Sequence, residues 1–97
     1  MRIISIKKLR DFWAQHPTAK KPLQAWYADA KLAHWVSPND IKMVYRNASI
    51  VANNRVVFNI KGNTYRLVIA IHYDFKIIYI RFIGTHNEYD QIDVTKI

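Results

Sequence analysis

The fold of this chain is decided by residues 55–89, RVVFNIKGNTYRLVIAIHYDFKIIYIRFIGTHNEY. Three apolar runs rich in Val, Ile, Tyr and Phe are separated here by two short polar segments, 61–64 and 73–76. This pattern predicts three antiparallel strands joined by two tight turns. Gly84 is expected to end the third strand, and a short polar segment follows it.

The first turn fixes the register of the first two strands. Gly62 stands at the first central position of Lys61–Thr64, which suits a two-residue hairpin of type II′. If Lys61 faces Thr64, then Phe58 faces Leu67, and one face of the hairpin is wholly apolar. The other face is expected to carry a mixed set of residues: Val57, Asn59, Lys61, Thr64, Arg66, Val68 and Ala70.

The second hairpin allows two registers, which differ by one residue. We expect His72 to face Ile77, because a slip by one residue would set Arg81 against Leu67 in the core. Burying an unpaired guanidinium costs several kcal/mol at least, whereas each apolar pair adds roughly 0.2 to 1 kcal/mol. The expected pairs are Leu67 with Phe82, Val68 with Arg81, and Ile69 with Ile80. Arg81 would then share a face with Arg66.

The first half of the chain is predicted to be mainly helical, since its apolar residues recur at helical spacing. The expected segments are a helix after Ser5 that stops at His16–Pro17, a second from Thr18 to about Trp35, a third from Ser37 to about Tyr45, and short extended pieces at 1–4 and 49–51. The helices should cover the apolar side of the sheet. The sequence therefore predicts one α+β domain, residues 1–97, with N-terminal helices on one face of a twisted antiparallel sheet of three to four strands.

The amino-acid composition indicates which kinds of molecule the protein could bind and which kinds of site it lacks. Fifteen Lys and Arg against seven Asp and Glu give a net charge of +8 and a pI near 9.9, which is typical of nucleic-acid binders. The chain has no cysteine, so disulfides, thiolate zinc sites and cysteine nucleophiles are excluded. No signal-peptide pattern is present, and no apolar run approaches the roughly 20 residues of a membrane span. We therefore expect a cytoplasmic protein.

The polar face has the groups needed to bind and cut RNA. Arginines grip phosphate as bidentate forks and a lysine does so as a point charge. With His86 and Tyr89 nearby, a base could remove the 2′-hydroxyl proton, cations could stabilise the phosphorane, and an acid could protonate the leaving 5′ oxygen. That route needs no metal. The four histidines show no metal-ligand spacing, so we predict neither a metal site nor a cofactor.

Other interpretations of the same residues stay open at this stage. Arg81 could be a solvated residue on an exposed strand, His86 a helix-cap donor, and Tyr89 a core residue. The basic face could then serve a non-catalytic RNA- or ribosome-binding module. That alternative predicts dependence on Arg66 and Lys61 but not on an imidazole.

Four segments of the chain closely resemble the HigB family of bacterial toxins. They are Trp35–Asp40, Val57–Ile60, Gly62–Val68 and Tyr79–Asp90. The resemblance implies a RelE-like fold and a toxin that cuts translated messenger RNA on the ribosome without a metal. It also implies a cognate antitoxin, usually a helix-turn-helix protein of the HigA type.

The resemblance also suggests roles for single residues. Arg66 occupies the position of a phosphate-stabilising arginine, Arg81 would be a second cation, and His86 looks like the general acid. Tyr89 is a candidate for the base or for stacking on a substrate base. The predicted catalytic residues are thus Arg66, Arg81, His86 and Tyr89, and the predicted RNA-binding residues are Asn59, Lys61, Arg55 and Tyr79.

Overall fold

The structure is a computed structural model that describes all of Met1–Ile97. Along the chain the elements are β1 (Arg2–Ile4), α1 (Ile6–Gln15), a 3₁₀ turn (Pro17–Ala19), α2 (Lys20–Leu32), α3 (Pro38–Val44), β2 (Ser49–Val51), β3 (Arg55–Ile60), β4 (Tyr65–His72), β5 (Ile77–Thr85) and α4 (His86–Tyr89). No helix is both long and apolar enough to cross a membrane.

The strands form one five-stranded sheet in the order β1-β5-β4-β3-β2. The class is α+β, as expected, but the predicted number of three to four strands is too low. The sheet is also mixed, because β1 pairs with β5 in parallel while the other pairs are antiparallel. Both short extended pieces expected at the N-terminus and at residues 49–51 became edge strands.

The register predicted for the first hairpin is confirmed. Phe58 faces Leu67 across β3 and β4. Gly62 has a φ of 61°, and the N–H of Thr64 donates a hydrogen bond to the carbonyl oxygen of Lys61 at 3.1 Å. Glycine reaches this left-handed conformation without the steric penalty that a Cβ atom brings.

The register predicted for the second hairpin is confirmed from the turn, where His72 faces Ile77, as far as the pair of Ile69 with Ile80. A β-bulge between Val68 and Ile69 then shifts the pairing, and Arg81 has no partner across β4. The predicted pairs Leu67–Phe82 and Val68–Arg81 are therefore wrong. The observed pairs are Leu67 with Ile83, Val68 with Phe82, and Ile69 with Ile80.

The bulge has a plain physical reason. With one extra residue in β5, Ile80 is buried and Ile83 still packs against the core, while Arg81 between them stays exposed. A continuous ladder in the predicted register would have turned Ile83 away from the core. The bulge thus keeps both Ile80 and Ile83 against the core, and only Arg81 is left without a partner in the ladder.

The core lies between the helices and one face of the sheet. Leu9 of α1, Leu23 of α2 and Ile41 of α3 are fully buried in the same cluster as alternate residues of β3, β4 and β5. The rings of Trp26 and Phe58 meet edge to face at 5.5 Å between centroids, which joins α2 to β3. One face of the sheet is therefore packed, and the side chains of the intervening residues point to the other.

That second face is covered at one end. Val57 and Val68 are buried although they lie outside the main core cluster. The segment after α4 ends beside Arg55, whose Nε donates to the carbonyl oxygen of Ile97 at 3.0 Å. Near the β3–β4 turn, by contrast, residues such as Asn59 are exposed. The open part of the face is the part at this turn.

Candidate functional site

Polar side chains gather at the end of the sheet where β3 turns into β4. Asn59 faces Arg66 across these strands, and Arg66 faces Gly84 on β5. The N–H of His86, the first residue of α4, donates to the carbonyl oxygen of Thr64 in the turn at 3.2 Å. The helix α4 is thereby tied to the turn. We call the following residues the turn-end cluster: Asn59, Lys61, Asn63, Arg66, His86 and Tyr89.

Arg66 is held in place by two residues of the cluster. Its Nη1 donates to the carbonyl oxygen of Asn63 at 3.1 Å, and its Nη2 donates to Oδ1 of the same residue at 2.9 Å. Its guanidinium carbon lies 5.8 Å from the centre of the Tyr89 ring, within the range of a cation–π contact. A guanidinium has five N–H donors, so this anchoring leaves donors free for an anion.

A capping box fixes α4 and with it the two residues that can move protons. The Thr85 hydroxyl accepts from the N–H of Glu88 at 3.2 Å, and Oε1 of Glu88 accepts from the N–H of Thr85 at 2.8 Å. His86 and Tyr89 stand three residues apart, so they lie on the same side of this single helical turn. The cap therefore sets the positions of both side chains relative to Arg66.

The imidazole of His86 lies near a carboxylate. Its Nδ1 lies 3.4 Å from Oδ2 of Asp90, and the two side chains are 48% and 53% exposed. Nε2 of His86 has no hydrogen-bond partner within the protein. An imidazole exposed to this extent can exchange a proton with a bound ligand.

The structure divides the sequence-predicted residues into two groups. Asn59, Lys61, Arg66, His86 and Tyr89 come together in the turn-end cluster.

Arg55 and Tyr79, in contrast, flank Ala70 from either side, at the other end of the face. Arg55 is four residues from Asn59 along β3, which is roughly 13 Å of extended strand. The guanidinium carbon of Arg81 lies 5.4 Å from the centre of the Tyr79 ring. The structure does not bring these three residues together with the turn-end cluster, and the roles predicted for them stay predictions.

Sequence reasoning missed the residues that hold the cluster. The capping box of Thr85 and Glu88 has the sequence pattern Thr-x-x-Glu, which is a known signal for the start of a helix. Once α4 is expected, Asp90 falls one turn beyond His86, where an ion pair can form. No comparable signal existed for Asn63, because its bonds to Arg66 depend on the shape of the turn.

The cluster offers cations, an imidazole and a phenol. No group of three or more His, Asp or Glu side chains lies close enough to hold a metal ion. A cleft of about 290 Å³ adjoins the cluster on the side of β3, and Arg46, Asn47 and Asn59 contribute its polar lining. The cluster is thus an open, positively charged surface with one groove beside it.

A net charge of +8 and an open cationic cluster on a small α+β domain are typical of polyanion-binding proteins. The family model that matches residues 19–92 is described as HigB toxin, the RelE-like toxic component of a toxin–antitoxin system. This chain belongs to that family, and the resemblance inferred from its sequence motifs is confirmed.

Three named relatives have the same degree of similarity. They are the mRNA interferase toxin HigB of Escherichia coli (strain K12) and the mRNA interferases HigB of Escherichia coli O157:H7 and Shigella flexneri. Each is 29% identical to this chain over 92 residues, an alignment that covers 93% of this chain and 88% of the relative. The similarity therefore extends over nearly the full length of both proteins.

Proposed function

We propose that this protein is an mRNA endoribonuclease, the toxin of a type II toxin–antitoxin pair, and that it cuts messenger RNA during translation on the ribosome. Its membership of the HigB family and the names of its relatives support this activity. The observation that carries the proposal is the anchoring of Arg66 by Asn63 and Tyr89, together with the exposed imidazole of His86 three residues before Tyr89 on the same helical turn. A phosphate bound at Arg66 would lie beside a proton donor.

The reaction we propose is an attack of the 2′-hydroxyl oxygen on the adjacent phosphorus. A solvent water accepts the 2′ proton, a new P–O bond forms between the 2′ oxygen and phosphorus, and the bond to the 5′ oxygen breaks. The products are a 2′,3′-cyclic phosphate and a 5′-hydroxyl. Arg66 and Lys61 stabilise the charge on the phosphorane, and His86 gives its proton to the leaving 5′ oxygen.

Tyr89 has a supporting role in this scheme, because its ring lies against the Arg66 guanidinium. The alternative is that its phenol oxygen is the base. Asn59 faces Arg66 across the strands and is placed to contact the same nucleotide. No step in the scheme is assigned to a cofactor or a metal.

The partners in this proposal are messenger RNA, the ribosome and a helix-turn-helix antitoxin of the HigA type. The charge of +8 favours the first two, because ribosomal and messenger RNA are both polyanions. The antitoxin follows from the family, whose description names a toxin–antitoxin system.

The test is brief induction in a bacterial host, followed by primer extension on a reporter transcript. The wild type should stop growth and produce cuts at defined positions of the reading frame. His86→Gln should reduce cutting by about 100-fold, the lower end of what general acid catalysis contributes. His34→Gln is the matched control, because His34 is an exposed histidine outside the cluster.

Intact transcripts after induction of the wild type would overturn the nuclease proposal. If growth also stopped with intact transcripts, and stopped equally with His86→Gln, the protein would be a non-catalytic RNA- or ribosome-binding module. Arg66→Ala should weaken either activity, and Arg10→Ala, at an exposed arginine of α1, is its control.

A further inference from the structure

The β-bulge leaves Arg81 outside the ladder, with its guanidinium carbon 5.4 Å from the centre of the Tyr79 ring and beside a separate cleft. Arg81 is the residue without a partner in the β4–β5 ladder, and it is exposed. Bulges recur beside functional sites, where they re-aim a side chain. Arg81 lines a cleft between α1 and β5 with a volume of about 410 Å³. We call this the α1–β5 cleft; it is lined by Lys8, Asp11, Phe12, Gln15, Arg81, Phe82 and Ile83.

The cleft exists because β1 is short. This strand pairs with β5 only as far as Tyr79, so the outer edge of β5 beyond that residue has no neighbouring strand. The helix α1 passes alongside the open edge and supplies the opposite wall. A cleft of this volume is within the range that holds a small ligand.

The lining of the cleft has the chemistry of a nucleotide site. Two exposed cations, Lys8 and Arg81, stand on opposite walls. The side chain of Phe82 is partly exposed and offers an aromatic surface to a base. The one carboxylate in the lining, Asp11, is paired with Lys7 at 2.7 Å. With Lys7 counted, the charged side chains at the cleft still leave an excess of positive charge.

Phe82 connects this cleft to the turn-end cluster. Its ring reaches back over Gly84: a Cβ atom at that position would lie only 2.5 Å from the Cζ atom of Phe82. Gly84 in turn faces Arg66 across the sheet. The same aromatic side chain thus borders both the cleft and the cluster.

We propose that the α1–β5 cleft is a second nucleotide subsite for single-stranded RNA. The base of a nucleotide beyond the two that flank the phosphate at Arg66 stacks on Phe82, and its phosphate binds Arg81 and Lys8. This inference rests on the proposed function for its ligand class. It gives Arg81 a role in binding the strand, apart from the reacting phosphate.

The test is binding of fluorescein-labelled oligouridylates to the full-length protein in the non-cleaving His86→Gln background. Fluorescence anisotropy compares a dinucleotide, a tetranucleotide and a hexanucleotide. Lengthening the dinucleotide to a tetranucleotide should lower the Kd by about tenfold, because a stacked base contributes roughly 1–3 kcal/mol. Arg81→Gln and Phe82→Leu should each remove most of this gain.

The dinucleotide supplies the internal control, since its affinity should change by less than about twofold in both variants. Arg81→Gln should also reduce the slope of log Kd against log salt by about 0.7, the value for one phosphate contact on a single strand. Arg10→Gln makes the same charge change on α1 outside the cleft and should leave the length dependence intact. Circular dichroism melting confirms that each variant is folded.

Equal weakening of the dinucleotide and the longer strands by Arg81→Gln would overturn the inference, because Arg81 would then serve the turn-end cluster. An affinity that does not rise with length would also overturn it. A normal length dependence in a protein that leaves transcripts intact in cells would support the subsite and contradict the nuclease proposal. The two failures are therefore distinguishable.

Discussion

The guanidinium carbon of Arg66 lies 5.8 Å from the centre of the Tyr89 ring. This contact joins β4 to α4 within the turn-end cluster. Because the contact uses the ring and not the hydroxyl, we expect Tyr89→Phe to retain cleavage within about threefold of the wild type. Tyr89→Leu should lose about fivefold, since a cation–π contact on an open surface contributes up to about 1 kcal/mol. Primer extension after matched induction measures both. A Phe variant as impaired as the Leu variant would identify the hydroxyl as the base.

Asn63 positions Arg66 through two hydrogen bonds. Asn63→Ala removes the bond to Oδ1, and a hydrogen bond to a charged group contributes about 1.5 kcal/mol or more. We expect the apparent Kd for a dinucleotide to rise by about tenfold, with little change in the melting temperature because the residue is exposed. Asn39→Ala, in α3, is the control. Unchanged dinucleotide affinity would show that Arg66 needs no such anchor.

The capping box of α4 gives a prediction that separates helix geometry from side-chain chemistry. Thr85→Ala removes the hydroxyl that accepts from Glu88, and loss of an N-cap costs about 1 kcal/mol. Cleavage should fall because His86 and Tyr89 lose their fixed positions. Thr85→Ser keeps the acceptor and should restore both the unfolding free energy and the cleavage rate. Failure of Ser to restore cleavage would mean that the Thr methyl group, not the cap, is what matters.

Gly84 leaves room for the Phe82 ring. Gly84→Ala brings a methyl group to 2.5 Å from Cζ of Phe82 and to 3.1 Å from Oε1 of Glu88, so the ring must move. We expect a loss of about 1–3 kcal/mol in the free energy of unfolding by urea, the usual range for overpacking. In a Phe82→Leu background the same change should cost less than half as much. Strict additivity of the two changes would show that the ring is not the obstacle.

Tyr45 makes the free energy of unfolding depend on pH in the alkaline range. Burial raises its pKa, and so does the hydrogen bond that Oη donates to Oδ2 of Asp29 at 2.6 Å. A raised folded-state pKa means that the folded protein binds more protons, so this contribution is full below the unfolded pKa of about 10 and is lost as the pH rises above it. Tyr73, whose pKa is raised by burial and by Asp40, acts in the same direction.

We therefore expect the unfolding free energy to decrease between about pH 9.5 and about pH 11, and to decrease less steeply in Tyr45→Phe. Urea titrations at several pH values measure the slope. Tyr27→Phe is the control, because the Tyr27 hydroxyl has no hydrogen-bond partner in the protein. Identical slopes for the wild type and Tyr45→Phe would contradict the assignment.

The sequence predicted the first hairpin well because a single glycine fixed its turn. Once Gly62 was placed, the apolar alternation of two strands could follow only one register. The second hairpin was harder to predict, because its turn segment 73–76 contains no glycine to fix the register. The bulge was favoured instead by the packing of Ile83 and by the space above Gly84, neither of which is visible in a pattern of alternation.

The residues of the site also differ in whether the sequence could predict their positions. The cations of the turn-end cluster and its imidazole could be found from register and motif. The separation of Arg81 and Arg55 from that cluster could not, because it depends on the bulge and on the course of the segment that ends at Ile97. The parallel pairing of β1 was likewise beyond prediction, since a three-residue strand has too little pattern to choose a neighbour.

The bulge in β5 also indicates that this strand could lose one residue without a change of register. With Arg81 deleted, Ile80 would still face Ile69, and the residues from Phe82 onward would keep their present partners in an unbroken ladder. The sheet thus has a site where one codon can be gained or lost without moving a single core side chain.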